Sequence, residues 1–250
     1  MTADGPTLRL AYLYPDLMNL YADRGNVTCL QQRCAWRGIE LRVTTVAWGD
    51  SLDDPQDIYV IGGGQDRQQR AASEGLSRRH ADHIGRDIAD GAAMLAVCGG
   101  YQLMGRSYRD ADGTAMQGLG IFDMETVHPG PKVARCIGNI ACRWEGSDLI
   151  GFENHGGRTY LGAGARPLAA VVKGFGNNGT DGGEGALAGA AIGTYMHGSL
   201  LPKNPHLADH LLAMALRRVD PEYALAPLDD DVEWRAHRAA LRIVGVSARR

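Results

Sequence analysis

The sequence predicts an α/β fold: a mostly parallel, doubly wound sheet with flanking helices, to which the second half of the chain adds antiparallel strands. In the first half, short apolar or β-branched runs alternate with helical stretches, which is the order of a parallel βαβ sheet. In the second half, strand-like runs follow one another with glycines between them and few helices. No linker or internal repeat interrupts the 250 residues, so we expect a single domain spanning residues 1–250.

The first-half elements are predicted from apolar spacing and from the residues that end each run. Pro15 stops the first strand, and Gly38 and Gly91 stand where two helices should end. The second strand is rich in β-branched residues, and the third runs directly into three glycines. The predicted strands are residues 8–14, 40–48, 57–61 and 94–97, and the predicted helices are residues 26–37 and 75–89.

The second-half elements are shorter and are separated by turn residues. The dipeptide Asp112-Gly113 predicts a hairpin turn. Two later stretches have helical spacing, the first of them after a stop at Leu201-Pro202. The predicted strands are residues 121–126, 133–144, 149–153, 168–173 and 187–195, and the predicted helices are residues 206–219 and 233–244.

The bulk composition excludes several classes of protein. A net charge of −3 without a basic stripe gives no electrostatic reason to expect nucleic-acid binding. The five cysteines form no C-x-x-C pair and have no metal-ligand spacing, which predicts a reducing compartment and no metal. Residues 1–6 lack the basic and apolar regions of a signal peptide, and no run reaches the length of a membrane span. We therefore expect a cytoplasmic protein.

Cys98 is the strongest candidate for a catalytic residue. It ends the apolar strand 94–97, is followed by Gly99 and Gly100, and precedes the opening of a helix at Tyr101. This placement predicts a sharp turn that projects the side chain, as in a nucleophile elbow. A helix N-terminus favours thiolate over thiol and supplies N–H donors to an oxyanion. A lone cysteine after an apolar run is usually a small buried hydrophobe, but the glycine-rich turn favours catalysis here.

A cysteine nucleophile needs a base, and two of the eight histidines stand in suitable contexts. His197 follows an apolar strand and precedes a glycine, which repeats the placement of Cys98, although a structural histidine fits that pattern equally well. His155 is the second candidate, but a turn held by Asn154 would give the same pattern. His128 lies in a Pro/Gly loop. The remaining histidines lie in helical stretches and are expected to be solvated: His80, His83, His206, His210 and His237.

The glycine run 62–64 ends the predicted strand that comes, in sequence, before the strand leading to Cys98. It lacks the Lys and Ser/Thr of a P-loop and the spacing of a dinucleotide fingerprint. Parallel strands present their carboxyl ends at one edge of a sheet, so this run should face the same crevice as Cys98. We therefore predict that the backbone N–H groups of Gly64 and Gly99 form an oxyanion hole.

Six segments together make the chain resemble the class I (triad-type) glutamine amidotransferases, in their cobyric-acid-synthase-like branch. Within that branch, the chain is most similar to the glutaminase subunits of lipid II isoglutaminyl synthases, and the resemblance runs nearly end to end. The most characteristic segment is Cys98-Gly-Gly-Tyr-Gln102. The others are residues 19–26, 61–67, 151–160, 174–178 and 193–204.

The resemblance implies that the chain hydrolyses L-glutamine to glutamate and ammonia. Cys98 would attack the side-chain amide to form a glutamyl thioester, and His197 would act as general base and acid. Arg135 best matches the arginine that holds the substrate in this family, with Lys132 as a fallback. Gln102 matches the position that contacts glutamine in the wider class.

The resemblance also implies a heterodimer. The ammonia would pass to a Mur-ligase-like partner that uses ATP and Mg²⁺ to amidate the α-carboxyl of D-glutamate in the lipid II stem peptide, giving D-isoglutamine. No cofactor is then expected in this chain. It would act at the inner face of the membrane only through the partner and the partner's lipid-linked substrate.

One position departs from the family pattern. Triad amidotransferases usually carry an acid two residues after the histidine, and Ser199 stands there. An imidazole without a carboxylate is a poorer base, so another acid of this chain, with Glu153 as the candidate, or an acid of the partner must serve. We favour the partner, because an active isolated subunit would waste glutamine. The charged segment 229–250 would either contact that partner or form a solvated tail helix.

Two other functions stay open on the sequence. The first is an amidotransferase for a corrinoid-type acid, although enzymes of that branch carry a synthetase domain for which 250 residues leave no room. The second is a catalytically silent scaffold for the ligase, which the intact pair Cys98 and His197 disfavours.

Overall fold

The structure, a computed structural model, describes residues 5–197 and 200–247. Its strands are β1 (Thr7–Leu13), β2 (Glu40–Val46), β3 (Ile58–Ile61), β4 (Ala93–Val97), β5 (Ser107–Arg109), β6 (Ala115–Gln117), β7 (Met124–Val127), β8 (Cys136–Trp144), β9 (Ser147–His155), β10 (Arg158–Leu161), β11 (Ala169–Lys173), β12 (Gly183–Glu184), β13 (Ala186–Ala188) and β14 (Ala191–Thr194). Its helices are α1 (Arg24–Ala35), α2 (Asp66–Gly75), α3 (Ala81–Ala89), α4 (Gly99–Leu103), α5 (Leu200–Lys203), α6 (Pro205–Val219) and α7 (Asp231–Ile243). The predicted α/β class is confirmed.

A six-stranded sheet in the order β13-β14-β4-β3-β1-β2 forms the centre of the molecule. All neighbours pair in parallel except β13, which pairs antiparallel with β14 at one edge. Every residue of β3, β4 and β14 is buried, as expected for parallel strands covered on both faces. The carboxyl ends of these three strands meet at one edge of the sheet, which is where such sheets bind ligands.

Two smaller sheets, β10-β7-β5-β6 and β12-β11-β8-β9, supply the antiparallel half of the fold. The hairpin predicted at Asp112-Gly113 is confirmed, because β5 and β6 pair antiparallel on either side of it. The long hairpin of β8 and β9 turns at Glu145 and Gly146, both with positive φ, which matches the right-handed twist of the strands. Strand β9 reaches the central sheet through a bridge between Phe152 and His197.

Two of the predicted elements differ in extent or number from those in the structure. The helix predicted to begin at Gly75 begins at Asp66, and a π-helical turn, Leu76–His80, continues it into α3. Gln65 caps α2 through a reciprocal bond with Gln68, and a glutamine cap is a weaker sequence signal than Ser, Thr, Asp or Asn. The strand predicted at 187–195 is two strands, because Gly189, with φ +55, reverses the chain.

The prediction that five helical histidines are solvated is wrong for His206, whose two ring nitrogens are both buried, and for His80 and His237. The latter two are buried, at 1% and 2% exposure. Nδ1 of His237 donates to the Lys203 carbonyl at 2.7 Å, and burial lowers the pKa of both imidazoles. Among the described residues, no helix combines the length and apolar character needed to cross a lipid bilayer.

Candidate active site

Cys98 occupies a strained turn between β4 and α4. Its backbone has φ 50° and ψ −106°, a region that non-glycine residues rarely adopt and that costs on the order of 1–3 kcal/mol. Its N–H donates to the Thr194 carbonyl at 2.8 Å, which ties the turn to β14. The following glycines are required, because a Cβ on Gly99 would lie 2.2 Å from Nε2 of Gln69, and one on Gly100 would lie 2.8 Å from the Gly62 carbonyl oxygen. The predicted elbow is confirmed.

His197 lies beside Cys98 at the same edge of the sheet. A Cβ on Gly63 would lie 2.6 Å from Cε1 of His197 and 3.4 Å from Cβ of Cys98, so both side chains converge on this glycine. The His197 side chain is fully buried, and the backbone N–H of His197 donates to the Phe152 carbonyl at 2.7 Å. The ring of Tyr21 packs edge-on against the imidazole at 4.9 Å. The structure thus brings together the two residues that the sequence proposed as nucleophile and base.

The acid that faces His197 is Asp23, which the sequence prediction missed. Both carboxylate oxygens lie 3.3 Å from Nδ1 of His197, and Oδ2 also accepts the Gly63 N–H at 2.7 Å. Asp23 is fully buried just before α1, and Tyr21, with φ 54°, redirects the chain shortly before it. One sequence feature could have indicated Asp23: it follows β1, whose carboxyl end lies at the same edge of the sheet as Cys98 and His197.

Glu153 does not fill that role, and the suggestion that it might is wrong. Its two oxygens accept the backbone N–H groups of Phe175 and Gly176 at 2.7 and 3.0 Å, so this buried carboxylate anchors a loop. Ser199 lies outside the described residues. The favoured expectation, that the partner supplies the acid, is also corrected, because Asp23 of this chain faces the imidazole.

The environment of His197 favours its protonated form. Burial alone would lower the pKa, but the charge of Cys98 and the Asp23 carboxylate outweigh it and raise the pKa of His197 to about 10. Asp23 therefore holds the imidazole by Nδ1 and compensates its charge. At neutral pH His197 carries a proton, which it can transfer to a leaving nitrogen.

Gly64 and Gly99 present the geometry expected of an oxyanion hole. The Gly63 carbonyl accepts the Leu20 N–H at 3.1 Å, so the Gly64 N–H of the same trans peptide points the opposite way. The Gly64 nitrogen lies 3.0 Å from the position of a Cβ on Gly99. Neither the Gly64 nor the Gly99 N–H donates a hydrogen bond within residues 5–197 and 200–247. Both donors are free to meet a developing oxyanion.

A cavity of about 400 Å³ opens over Cys98 and His197, large enough for a free amino acid. Arg135 lines it, with Nε donating to Oδ1 of Asn154 at 2.9 Å and Nη2 donating to the Asn154 carbonyl at 3.1 Å. These bonds hold the guanidinium at the wall of the cavity, where it can pair with a carboxylate. Lys132 is not among the residues that line the cavity.

Gln102 and His155 also line the cavity, but each is held by its neighbours. Nε2 of Gln102 donates to the Tyr195 hydroxyl at 3.2 Å. The imidazole of His155 stacks on the Tyr195 ring at 3.6 Å, and its Nδ1 contacts the Gly157 carbonyl at 2.8 Å. Burial lowers the pKa of His155. His155 therefore forms part of the wall, and His197 is the histidine paired with an acid beside Cys98.

Known glutamine amidotransferases resemble this chain over most of its length. Residues 9–205 match the CobB/CobQ-like glutamine amidotransferase domain. The chain is 37% identical over 236 residues to the lipid II isoglutaminyl synthase (glutamine-hydrolyzing) subunit GatD of Staphylococcus aureus, covering 94% of this chain and 95% of that protein. It is 36% identical to the Streptococcus pneumoniae protein of the same description, covering 90% and 86%.

A solved structure shares the fold. The structure of PurLQS from Thermotoga maritima aligns with a TM-score of 0.59 and covers 86% of this chain and all of that chain. The sequence identity is 16%, so this similarity concerns the fold alone.

Proposed function

The chain belongs to the CobB/CobQ-like glutamine amidotransferase family, and on that premise we propose that it is the glutaminase subunit of a lipid II isoglutaminyl synthase. It would hydrolyse L-glutamine and deliver ammonia to a Mur-ligase-like partner. With ATP and Mg²⁺, the partner would amidate the α-carboxyl of D-glutamate in the lipid II stem peptide to D-isoglutamine. The observation that carries the proposal is a strained Cys98 beside an acid-paired His197, in a chain that matches such subunits over nearly its whole length.

In the acylation half-reaction, the Cys98 thiolate attacks the side-chain carbonyl carbon of glutamine. A C–S bond forms, and the carbonyl π electrons move to oxygen, where the N–H groups of Gly64 and Gly99 stabilise the negative charge. The tetrahedral intermediate then collapses and its C–N bond breaks. The nitrogen takes the proton of His197 and leaves as ammonia.

In the deacylation half-reaction, neutral His197 accepts a proton from water. The resulting hydroxide attacks the thioester carbon, the same two N–H groups stabilise the second oxyanion, and the C–S bond breaks. Glutamate leaves, and the thiolate of Cys98 and the protonated His197 are restored. The balance is one glutamine and one water consumed for one glutamate and one ammonia.

Residues that line the cavity would recognise the substrate. We assign the Arg135 guanidinium to the α-carboxylate of glutamine, because it lines the cavity, and Gln102 lies on the wall next to the elbow. Because the α-carboxylate does not change charge during the reaction, this contact contributes to binding rather than to the chemical step.

Copurification and an activity assay test the proposal. The chain and a Mur-ligase-like protein are purified separately and together, and ammonia release from glutamine is measured for each preparation. We expect low turnover alone, because an active isolated subunit would waste glutamine. Turnover should rise when the partner docks, and equal turnover with and without it would contradict the proposal.

The acceptor assay separates the alternatives. The complex should convert lipid II to its D-isoglutamine form with glutamine and ATP. Amidation of a corrinoid-type acid in place of lipid II would favour the other branch of the family. A complex that amidates lipid II with free ammonium but not with glutamine would favour a silent scaffold.

A further inference from the structure

The side-chain amide of Gln69 on α2 lies between the two predicted oxyanion donors, although the mechanism above does not use it. Its Nε2 donates to the Gly64 carbonyl at 3.0 Å and to Oε1 of Gln102 at 3.1 Å. The same nitrogen would lie 2.2 Å from a Cβ on Gly99, so the amide packs directly against the elbow. Gln69 is 3% exposed and lines the cavity.

The neighbours of Gln69 fix the orientation of its amide. The Gly64 carbonyl can only accept, so the nitrogen must face it. Oε1 of Gln102 then accepts as well, and Nε2 of Gln102 donates to the Tyr195 hydroxyl. Tyr195 in turn contacts the hydroxyl of Thr159 on β10 at 2.7 Å. A continuous network of hydrogen bonds therefore joins the glycine loop, the elbow helix and β10.

This arrangement leaves the Gln69 oxygen without a partner. Oε1 is buried and makes no hydrogen bond within the described part of the chain. The interactions of this amide with the protein are therefore made by its nitrogen, which has two acceptors, the Gly64 carbonyl and Oε1 of Gln102.

The side-chain nitrogen of Gln69 holds the backbone at Gly64 in a fixed orientation. Leu20 anchors the peptide before Gly64 by bonding the Gly63 carbonyl, and Gln69 anchors the peptide after it. Gly64 itself must lack a side chain, because a Cβ there would lie 2.4 Å from Sδ of Met18. Glycine can adopt a wider range of φ and ψ than any other residue. Hydrogen bonds to the peptides on both sides are therefore needed to hold Gly64 in one conformation.

We propose that Gln69 is a positioning residue for the oxyanion hole. By holding the Gly64 carbonyl, it sets the plane of the glycine loop and so keeps the Gly64 N–H aimed at the oxyanion formed at Cys98. The inference rests on the proposed glutaminase function. It assigns Gln69 no contact with the substrate and predicts that Gln69 acts through Gly64.

Two variants of Gln69 and one matched control test the role, each in the complex with the ligase. Gln69→Met keeps the length and loses both bonds, and Gln69→Glu keeps the shape but has no N–H to donate. Gln56→Met is the control, because Gln56 is equally buried at 3% with an unpartnered Oε1, but precedes β3 at the opposite edge of the sheet. Glutaminase kcat and KM are measured, together with the rate at which iodoacetamide alkylates Cys98.

We expect both Gln69 variants to lower kcat on the order of 10²-fold with little change in KM, because the oxyanion exists only in the transition state. Alkylation of Cys98 should keep the wild-type rate, since that displacement develops no oxyanion. Gln56→Met should leave both measurements unchanged.

Three results would overturn the proposal: an unchanged kcat, a parallel fall in kcat and alkylation that indicates general damage to the elbow, or a Gln69→Glu variant that stays active. A wild-type complex without glutaminase activity would instead refute the proposed function.

Discussion

Replacing Asp23 by asparagine tests the acid–base pair of the site most sharply. The substitution keeps the size of the side chain and an oxygen that can accept the Gly63 N–H, and it removes the charge 3.3 Å from Nδ1 of His197. At that distance, two unit charges in surroundings with an effective dielectric constant of about 20 attract each other by about 5 kcal/mol.

That energy is large enough to account for the raised pKa of His197. Each pKa unit corresponds to about 1.4 kcal/mol, so an attraction of this size is comparable with the rise of the pKa from 6.5 to about 10. The figure is an upper bound, because the charge of Cys98 also raises this pKa and the Gly63 N–H already shares the Asp23 charge. We expect Asp23→Asn to lower the pKa of His197 by a large part of this difference and kcat by on the order of 10²- to 10⁴-fold.

The assays are steady-state ammonia release and an NMR titration of the His197 imidazole, both with and without the partner. Asp16→Asn serves as the control, because Asp16 is an exposed carboxylate of the same loop and does not line the cavity. A wild-type kcat and an unchanged His197 titration in Asp23→Asn would refute the reasoning. An acid supplied by the partner would then have to orient the imidazole.

Three further substitutions are tested by the same measurement of ammonia release from glutamine. Cys98→Ala should abolish ammonia release and leave the thermal melt near that of the wild type; residual turnover at the wild-type rate would exclude Cys98 as nucleophile. Arg135→Ala should raise KM for glutamine, by about 2 kcal/mol of lost charge-assisted binding, with a smaller effect on kcat; an unchanged KM would reject the carboxylate contact. Gly63→Ala should lower kcat on the order of 10²-fold, because its Cβ would lie 2.6 Å from Cε1 of His197 and a small displacement of a catalytic group is costly. Gly85→Ala, where a Cβ meets nothing within 4 Å in helix α3, is the control and should stabilise the fold by roughly 0.5–1 kcal/mol; a matching loss of activity in both variants would undo the argument.

Short sequence patterns were sufficient to predict the sharp turn at Cys98 and the position of His197 beside it. The strand, cysteine and two glycines around Cys98 are consecutive in sequence, and their conformation depends mainly on one another. His197 was found by the same rule, because the carboxyl ends of neighbouring parallel strands lie at one edge wherever their strands occur in the chain. The two glycine donors follow from that rule as well.

Asp23 was missed because its position depends on the path of a loop. No spacing in the sequence indicates that Tyr21 adopts φ 54° or that the carboxylate points back across two strands to the imidazole. The start of α2 was missed because Gln65 and Gln68 form its cap. The burial of His80 was missed because a π-helical turn shifts the face that it presents.

The central claim is that Cys98 is the nucleophile that becomes acylated by glutamine. Treatment with a glutamine-mimicking diazo-ketone, followed by intact mass measurement and peptide mapping, tests it directly. We expect one adduct per chain, on Cys98, and protection by excess glutamine. Burial raises the pKa of Cys29 and Cys34 to about 12, which keeps these thiols unreactive at neutral pH. An unmodified Cys98, or an adduct on another cysteine that glutamine does not prevent, would contradict the account.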